Sequence, residues 1–415
     1  MRFFESGQQQ SHKAIAYIRL HAAAPSGPFR EDAVLARLQS EIPFEVRPFA
    51  PSVQQANAGS AGLNSGAFPL GGICLVTGAT GLLGSHVAEQ LVRRGERVRA
   101  LARPGSNQEF LRGLGVEIIP GDLEKNQGID AACAGVDRVF HCAARVGEWG
   151  DPAQIRSQIV DLALNLKNAC ARSGNPRVVH VSSVTVYGKP DGPGPWSESQ
   201  PLGNKVYRSN HYCHAKIAAE QVWANYPGQV VIVRPSWIYG PRDRVTLPRV
   251  VKAFLSGRLA LIGDGSNPLN IIYAPDVADG CVRAMDKGPD RHVYNLSSGG
   301  QTSVKAFMDT VADELGLPRV RKRYPLALAK GLAIFSEWIG KLIRMKRPPH
   351  LTRYNLGLLT RPCLFSTESA RRELGWQEST SVQDGLRKTL EWHWRDLPPT
   401  APIRRRKEAE SSANL

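Results

Sequence analysis

The sequence predicts an α/β chain with a doubly wound parallel sheet and a smaller, mostly helical C-terminal substrate-binding region. Three observations carry this. Short, fully apolar runs alternate with helical stretches from Ile73 to about residue 235. A glycine-rich turn comes directly after the first run. After about residue 235 the alternation loosens into helical segments. Apolar strands separated by helices require a sheet covered on both faces, and strand–helix alternation of this length is the doubly wound pattern.

The chain has 415 residues, 42% of them hydrophobic and 22% charged, which suits a globular protein with a sizeable core. Residues 1–70 differ in character. "REDAVLARLQSEIPFEVRPF" predicts a helix over 31–40 and then a strand. The Ala-, Gly-, Ser- and Asn-rich stretch after it reads as a flexible linker, because it has too little apolar surface to offset its ordering entropy. We assign this extension no role. The expected boundaries are a nucleotide-binding core over 71–240, a substrate-binding lid region interleaved with it over 241–396, and a basic, disordered tail over 397–415.

In the core, "ICLVT", "RVRAL", "VEIIP", "DRVFHCAA", "RVVHVSS" and "VVIVRP" read as successive strands. The stretch "VTGATGLLGSH" (76–86) places Gly78, Gly81 and Gly84 between the first strand and a helix. Gly78 permits the tight turn, Gly81 lets a pyrophosphate approach the backbone, and Gly84 lets helix pack on sheet. The helix N-terminus then offers its free N–H groups to the phosphates.

The net charge of +16 points to an anionic partner, which includes nucleic acid, a membrane surface or a phosphorylated ligand. The basic runs lack interleaved aromatics, so nucleic acid is not expected. The seven cysteines form no C-x-x-C pair and several lie in apolar runs, which suits free thiols rather than disulfides or a metal site. No signal peptide and no 18-residue apolar run is visible, so a cytoplasmic location is the expectation.

The order of motifs resembles the extended branch of the short-chain dehydrogenase/reductase superfamily, over roughly residues 72–395. The carriers are T-G-x-x-G-x-x-G at 77–84, "GDL" at 121–123, "HCAA" at 141–144, "SSVTVYG" at 182–188, "YCHAK" at 212–216 and "RPSWIYGP" at 234–241. The resemblance implies a Rossmann-type fold and a nicotinamide dinucleotide held by Gly78, Thr80, Gly81, Leu82, Leu83 and Gly84. It also implies cofactor contacts from Asp122 and Leu123 near adenine, from Ala143 and Ala144, from Tyr212 and from Lys216 on the nicotinamide ribose, and from Pro235 and Ser236 near the nicotinamide.

Relatives that prefer NAD carry an acid at the end of the second strand, and here Ala102 and Arg103 stand in that place. An arginine can fork onto a 2′-phosphate, so NADP(H) is favoured and NAD(H) stays open. The resemblance gives catalysis to Ser183, Tyr212 and Lys216. Tyr212 and Lys216, four apart, share a helix face, and a nearby ammonium lowers a phenol pKa. Tyr212 then gives or takes a proton while hydride moves. Ser182, Thr185 and Tyr187 read as structural or pocket residues, and His141, His211 and His214 as structural.

Two substrate classes compete. Many nucleotide-sugar epimerases and dehydratases hold a diphosphate with an arginine where this chain has Leu269 and Asn270. The combination "HCAARVGEWG", "IGDGSN" and "YNLSSGG" resembles instead the 3β-hydroxysteroid dehydrogenase-like group, which includes long-chain β-keto acid reductases. That implies a hydrophobic steroid-like or long-chain β-keto or β-hydroxy substrate. A non-catalytic cofactor sensor is the contrasting class, and the intact Ser183, Tyr212 and Lys216 count against it.

Two kinds of partner are expected. The resemblance implies a homodimer through helices near 153–173 and 211–226. Apolar residues at 328, 332, 335, 339 and 342 predict an amphipathic helix over 326–343, with Lys330, Glu337 and Lys341 on its other side. Basic clusters flank it on both ends, so 321–347 suits either an anionic membrane surface or a lid packed over the pocket.

Overall fold

A computed structural model describes residues 72–413, apart from residues 190, 191, 193, 208, 258, 346, 350, 361, 362, 398 and 400. The helix, strand and linker expected before residue 71 lie outside the described residues.

The six expected strands form as β1 (Ile73–Thr77), β2 (Arg97–Ala102), β3 (Glu117–Pro120), β4 (Val136–His141), β5 (Arg177–Val181) and β6 (Val230–Pro235). Each runs parallel to its neighbours in a seven-stranded sheet ordered β10-β6-β5-β4-β1-β2-β3. The seventh member is β10 (Val293–Leu296), which pairs with β6. The order reverses between β1 and β4, and such a switch point opens a crevice beyond the strands' carboxyl ends.

Helices cover both faces. On one side α1 (Leu82–Arg93) and α8 (Ala274–Lys287) pack against each other over a core that includes Val76, Val87, Val181, Val277 and Met285. On the other, the run over 152–172 and α6 (His211–Ala224) enclose Leu75, Val139, Leu166 and Trp223. That run is α4 (Pro152–Arg156), a π-helical turn (Ser157–Asp161) and α5 (Leu162–Arg172). Short helices α2 (Glu109–Gly113) and α3 (Ile129–Cys133) complete the first half.

Beyond β6 the chain makes short strands β7 (Trp237–Tyr239), β8 (Leu261–Ile262), β9 (Ile271–Tyr273) and β11 (Arg323–Tyr324). Helices α7 (Thr246–Leu255), α9 (Val304–Leu315), α10 (Leu326–Leu342), α11 (Arg353–Thr360) and α12 (Val382–Trp392) surround them. A separate core built on Leu247, Phe307, Val311, Leu386 and Leu390 unites much of this region.

Two expectations need correction. Over 402–413 the tail is helical rather than disordered: α13 (Pro402–Ala413) forms, and Ala401 and Ile403 are buried in that C-terminal core. Arg404 caps the carbonyl of Leu397 at 2.6 Å and pairs with Glu408 one turn on. Two small apolar anchors and an i,i+4 pair suffice to hold a helix whose remaining surface is charged. The second concerns α10, whose Glu337 is buried rather than on the outer polar side. It faces α11, where Arg353 donates to it through its backbone N–H at 2.6 Å and its Nε at 2.9 Å. The large apolar side chains of α10 point outward instead.

Candidate active site

The carboxyl ends of β1 and β4 meet at the switch point. Thr77 Oγ1 bonds His141 Nδ1 at 2.8 Å, and the turn after β1 touches the loop after β4. Gly78 has φ +70°, and a Cβ there would lie 2.8 Å from the backbone of Ala143. A Cβ on Gly84 would lie 2.3 Å from the Gly78 carbonyl oxygen. Both glycines are therefore fixed by close backbone approach. Gly81 caps α1 with no side-chain hydrogen bond, and the first turn of α1 has no acidic residue. The N–H groups of that turn are thus free of side-chain competition and suited to an anion.

Other expected cofactor residues line the same crevice edge. Asp122 and Leu123 lie just after β3, where Asp122 Oδ1 accepts the Glu124 N–H at 2.9 Å and Leu123 is buried. Arg103 comes immediately after β2, with its side chain exposed and the buried Ala102 before it. Pro235 ends β6, and Ser236 after it is buried with its Oγ lacking a hydrogen-bond partner. A buried hydroxyl without a partner is costly unless a ligand supplies one. The bare glycine cap and this hydroxyl fit a dinucleotide with phosphates at α1 and an amide-bearing ring near β6.

Ser183 lies just beyond β5, where its Oγ accepts the Thr185 N–H at 3.2 Å and caps a 3₁₀ turn (Val184–Tyr187). Asn210 caps α6 by accepting the Cys213 N–H at 3.1 Å, which fixes the turn that presents Tyr212. The structure brings Ser183 and Tyr212 together. Burial pushes the Tyr212 hydroxyl well above the ordinary phenol range, and a hydrogen bond with Ser183 pulls only weakly the other way. Lys216 does not depress it as its place on the helix face led us to expect. Its Nζ donates to the Val181 carbonyl at 3.1 Å, and burial brings its own pKa down to about 8. Tyr212 is therefore held as the neutral phenol, a proton donor.

A buried network behind the site escaped sequence reading. Glu220, one turn after Lys216, accepts two hydrogen bonds from Arg234 at 2.9 and 2.7 Å and one from Ser182 at 2.5 Å. Arg234 also donates to the Tyr187 hydroxyl, which donates to Asn295 on β10 at 2.7 Å. The signal available was an arginine inside the apolar run "VVIVRP", which demands a buried anion. Ser182 and Tyr187 are structural, as expected. So is His141, which burial and the Lys216 charge keep neutral, with its pKa down to about 3. His214 is exposed and His211 half-buried.

The C-terminal region closes over Tyr212. Tyr354 on α11 sets its ring edge-on to Tyr212, with centroids 6.2 Å apart. Beside it the Arg353 guanidinium lies over the Tyr207 ring at 4.7 Å, and the Tyr207 hydroxyl donates to Glu148 at 2.7 Å. These residues also escaped the sequence. At the place of the diphosphate-binding arginine, Leu269 is buried and Asn270 donates to the Cys363 carbonyl at 2.5 Å.

A glycine-lined helix start at a sheet switch point, with a neutral tyrosine beside a serine and a buried lysine, defines a nicotinamide-dependent oxidoreductase of the extended short-chain type. The comparisons agree. The NAD dependent epimerase/dehydratase family profile matches residues 74–297. A 2-alkyl-3-oxoalkanoate reductase of Stenotrophomonas maltophilia (strain K279a) is 32% identical over 323 residues, covering 76% of this chain and 97% of that protein. The sterol-4-alpha-carboxylate 3-dehydrogenase (decarboxylating) of Dictyostelium discoideum is 24% identical over 75% of this chain and 98% of its own length. The crystal structure of gox2253 superposes with a TM-score of 0.66 at 28% identity, over 78% of this chain and 98% of that one. The chain belongs to the NAD-dependent epimerase/dehydratase family.

Proposed function

We propose that this protein reduces a ketone, at the carbon β to a carboxylate, on a substrate with long apolar arms, using NADPH. The observation that carries the reaction type is the buried, neutral Tyr212 beside Ser183. When bound, the reduced nicotinamide supplies hydride to the carbonyl carbon. Ser183 orients the carbonyl oxygen, and Tyr212 gives it a proton as negative charge develops there. The phenolate left behind recovers its proton from solvent.

The substrate class draws on two relatives whose names share one chemical feature, an oxygen-bearing carbon next to the carbon that carries the carboxylate. Neither the buried Leu269 nor the tied Asn270 supplies a cation of its own at the place where a sugar-nucleotide diphosphate would be clamped. Arg103 at the exit of β2 supports NADPH over NADH. A homodimer through α5 and α6 belongs to the same proposal, since Leu164 on α5 is an exposed apolar residue. Sedimentation at micromolar concentration tests that, and a monomer alone would reject it.

The test of function is a substrate panel monitored by nicotinamide absorbance. Long-chain 2-alkyl-3-keto acids and steroid ketones should be turned over, and UDP-sugars should not. Turnover confined to UDP-sugars would overturn the reading.

A further inference from the structure

An amphipathic helix in a monomeric domain ordinarily turns its large apolar side chains inward. Helix α10 does the opposite. The side it lays on the protein is small or polar, formed by Ala329, Ala333, Glu337 and Gly340. Ala329 and Ala333 pack on Leu356 of α11, and Gly340 sits so close to Trp149 that a Cβ would lie 3.0 Å from its ring. Glu337 is locked to Arg353, and Ser336 donates to the Leu351 carbonyl at 2.6 Å. These contacts fix the helix's rotation, so its outward face is set by the fold.

That outward face carries Leu328, Leu332, Phe335, Trp338 and Leu342, with Ile343 just after the helix. Phe335 is 58% exposed, Trp338 61% and Leu342 67%. The Phe335 and Trp338 rings stack 6.5 Å apart. Clustered exposure of this size marks an interaction surface. The patch extends to the loop after β4, because Trp149 Nε1 donates to the Met345 carbonyl at 2.8 Å and Val146 in that loop is 80% exposed.

Charge selects the occupant. Arg321, Lys322 and Arg323 stand before the helix, Lys341 near its end, and Arg344 and Arg347 after it, all exposed. The one acid between residues 321 and 347 is Glu337, which is buried and paired. Within 321–347 every exposed charge is a cation, and a face of leucine and aromatic residues flanked in this way matches an anionic bilayer surface, with rings and leucines among the acyl chains and cations at the headgroups. Among the described residues no helix is long and apolar enough to cross a membrane, so the contact is peripheral.

We infer that α10, with the basic residues flanking it and the Val146 loop, is an interfacial helix that docks this protein reversibly on anionic lipid bilayers. Arg353 and Tyr354 are consecutive on α11, so the docked helix is one packing step from Tyr212. The inference rests on surface geometry and stands apart from the catalytic reading.

The experiment is co-sedimentation of the full chain with vesicles of phosphatidylcholine alone, or mixed equally with phosphatidylglycerol, at low and high salt. Binding should be at least about tenfold stronger to the anionic vesicles at low salt and should fall as salt screens the charges. Trp338→Ser with Leu342→Ser should lower it at least about tenfold, and so should Lys341→Glu with Arg344→Glu. All four side chains are exposed, so unchanged circular dichroism melting should accompany both pairs. Failure of the wild type to bind anionic vesicles at low salt would overturn the inference. So would binding that neither pair weakens. If the serine pair instead dissociates an oligomer in sedimentation while vesicles stay unbound, the face belongs to a second copy.

Discussion

Glu220 and Arg234 form a two-pronged ion pair with both side chains almost wholly buried. It ties the helix carrying Tyr212 and Lys216 to the strand that ends at Pro235, just before Ser236. The site's two halves are thereby held in register from behind. Removing one partner leaves the other charge stranded in the core. Arg234→Met should cost about 3–5 kcal/mol of stability. Glu220→Leu with Arg234→Met should cost less than the single change, because no charge is left unpaired. Urea denaturation of both variants measures this, and a double variant as unstable as Arg234→Met alone, or more so, would contradict it.

Tyr212→Phe keeps the ring packed against Tyr354 and removes only the proton it can give. We expect kcat for ketone reduction to fall about 10²-fold or more. Cofactor affinity, measured by fluorescence titration, should change little. Near-normal turnover would take Tyr212 out of the chemistry.

His180 lies in the core with its ring 5.2 Å from His141 and 5.9 Å from Trp223. Neither ring nitrogen has a hydrogen-bond partner. Burial above all, with His141 and the Lys216 ammonium close by, holds its pKa well below the ordinary histidine value. As pH falls below about 6.5 the unfolded chain binds a proton there before the folded one does. Stability is therefore lost with falling pH. His180→Phe removes this liability without abandoning a bonded partner. The variant should be at least as stable as wild type at pH 7 and gain more at pH 5. Equal pH dependence in urea midpoints would refute the assignment.

The first six strands were legible because each is a short, nearly unbroken apolar run, as a doubly covered sheet requires. β10 was not, because Asn295 interrupts it. That asparagine accepts from Tyr187 and donates to the carbonyls of Trp196 and Ser366, partners far away in sequence. Periodicity announced the α10 helix and its apolar stripe but could not say which side faces the protein. Small residues can pack as tightly as large ones, and the deciding contact, Glu337 with Arg353, is tertiary. The glycine turn, Ser183, Tyr212 and Lys216 were readable from spacing and resemblance. Lys216's bond to the Val181 carbonyl and the burial that keeps Tyr212 protonated were not, since both depend on packing.

The turn leaving β2 should govern the choice between NADPH and NADH. Ala102 is buried and carries no carboxylate to accept from a 2′-hydroxyl. Arg103, next in the chain, has an exposed side chain. Its backbone carbonyl is engaged by Ser106 and Gln108 at 2.7 and 3.1 Å, which anchors the turn and leaves the side chain to swing. A guanidinium there suits a 2′-phosphate through charge-assisted hydrogen bonds. NADPH should bind more tightly than NADH. Arg103→Ala should weaken NADPH by about tenfold, near 1.5 kcal/mol for a lost charged hydrogen bond, and leave NADH almost unchanged. Because the interaction is solvent-exposed, the NADPH advantage should also shrink as salt rises. Titration of the two cofactors against wild type and variant reads all of this. Equal or tighter binding of NADH by the wild type would move the enzyme to NAD and leave Arg103 a surface residue.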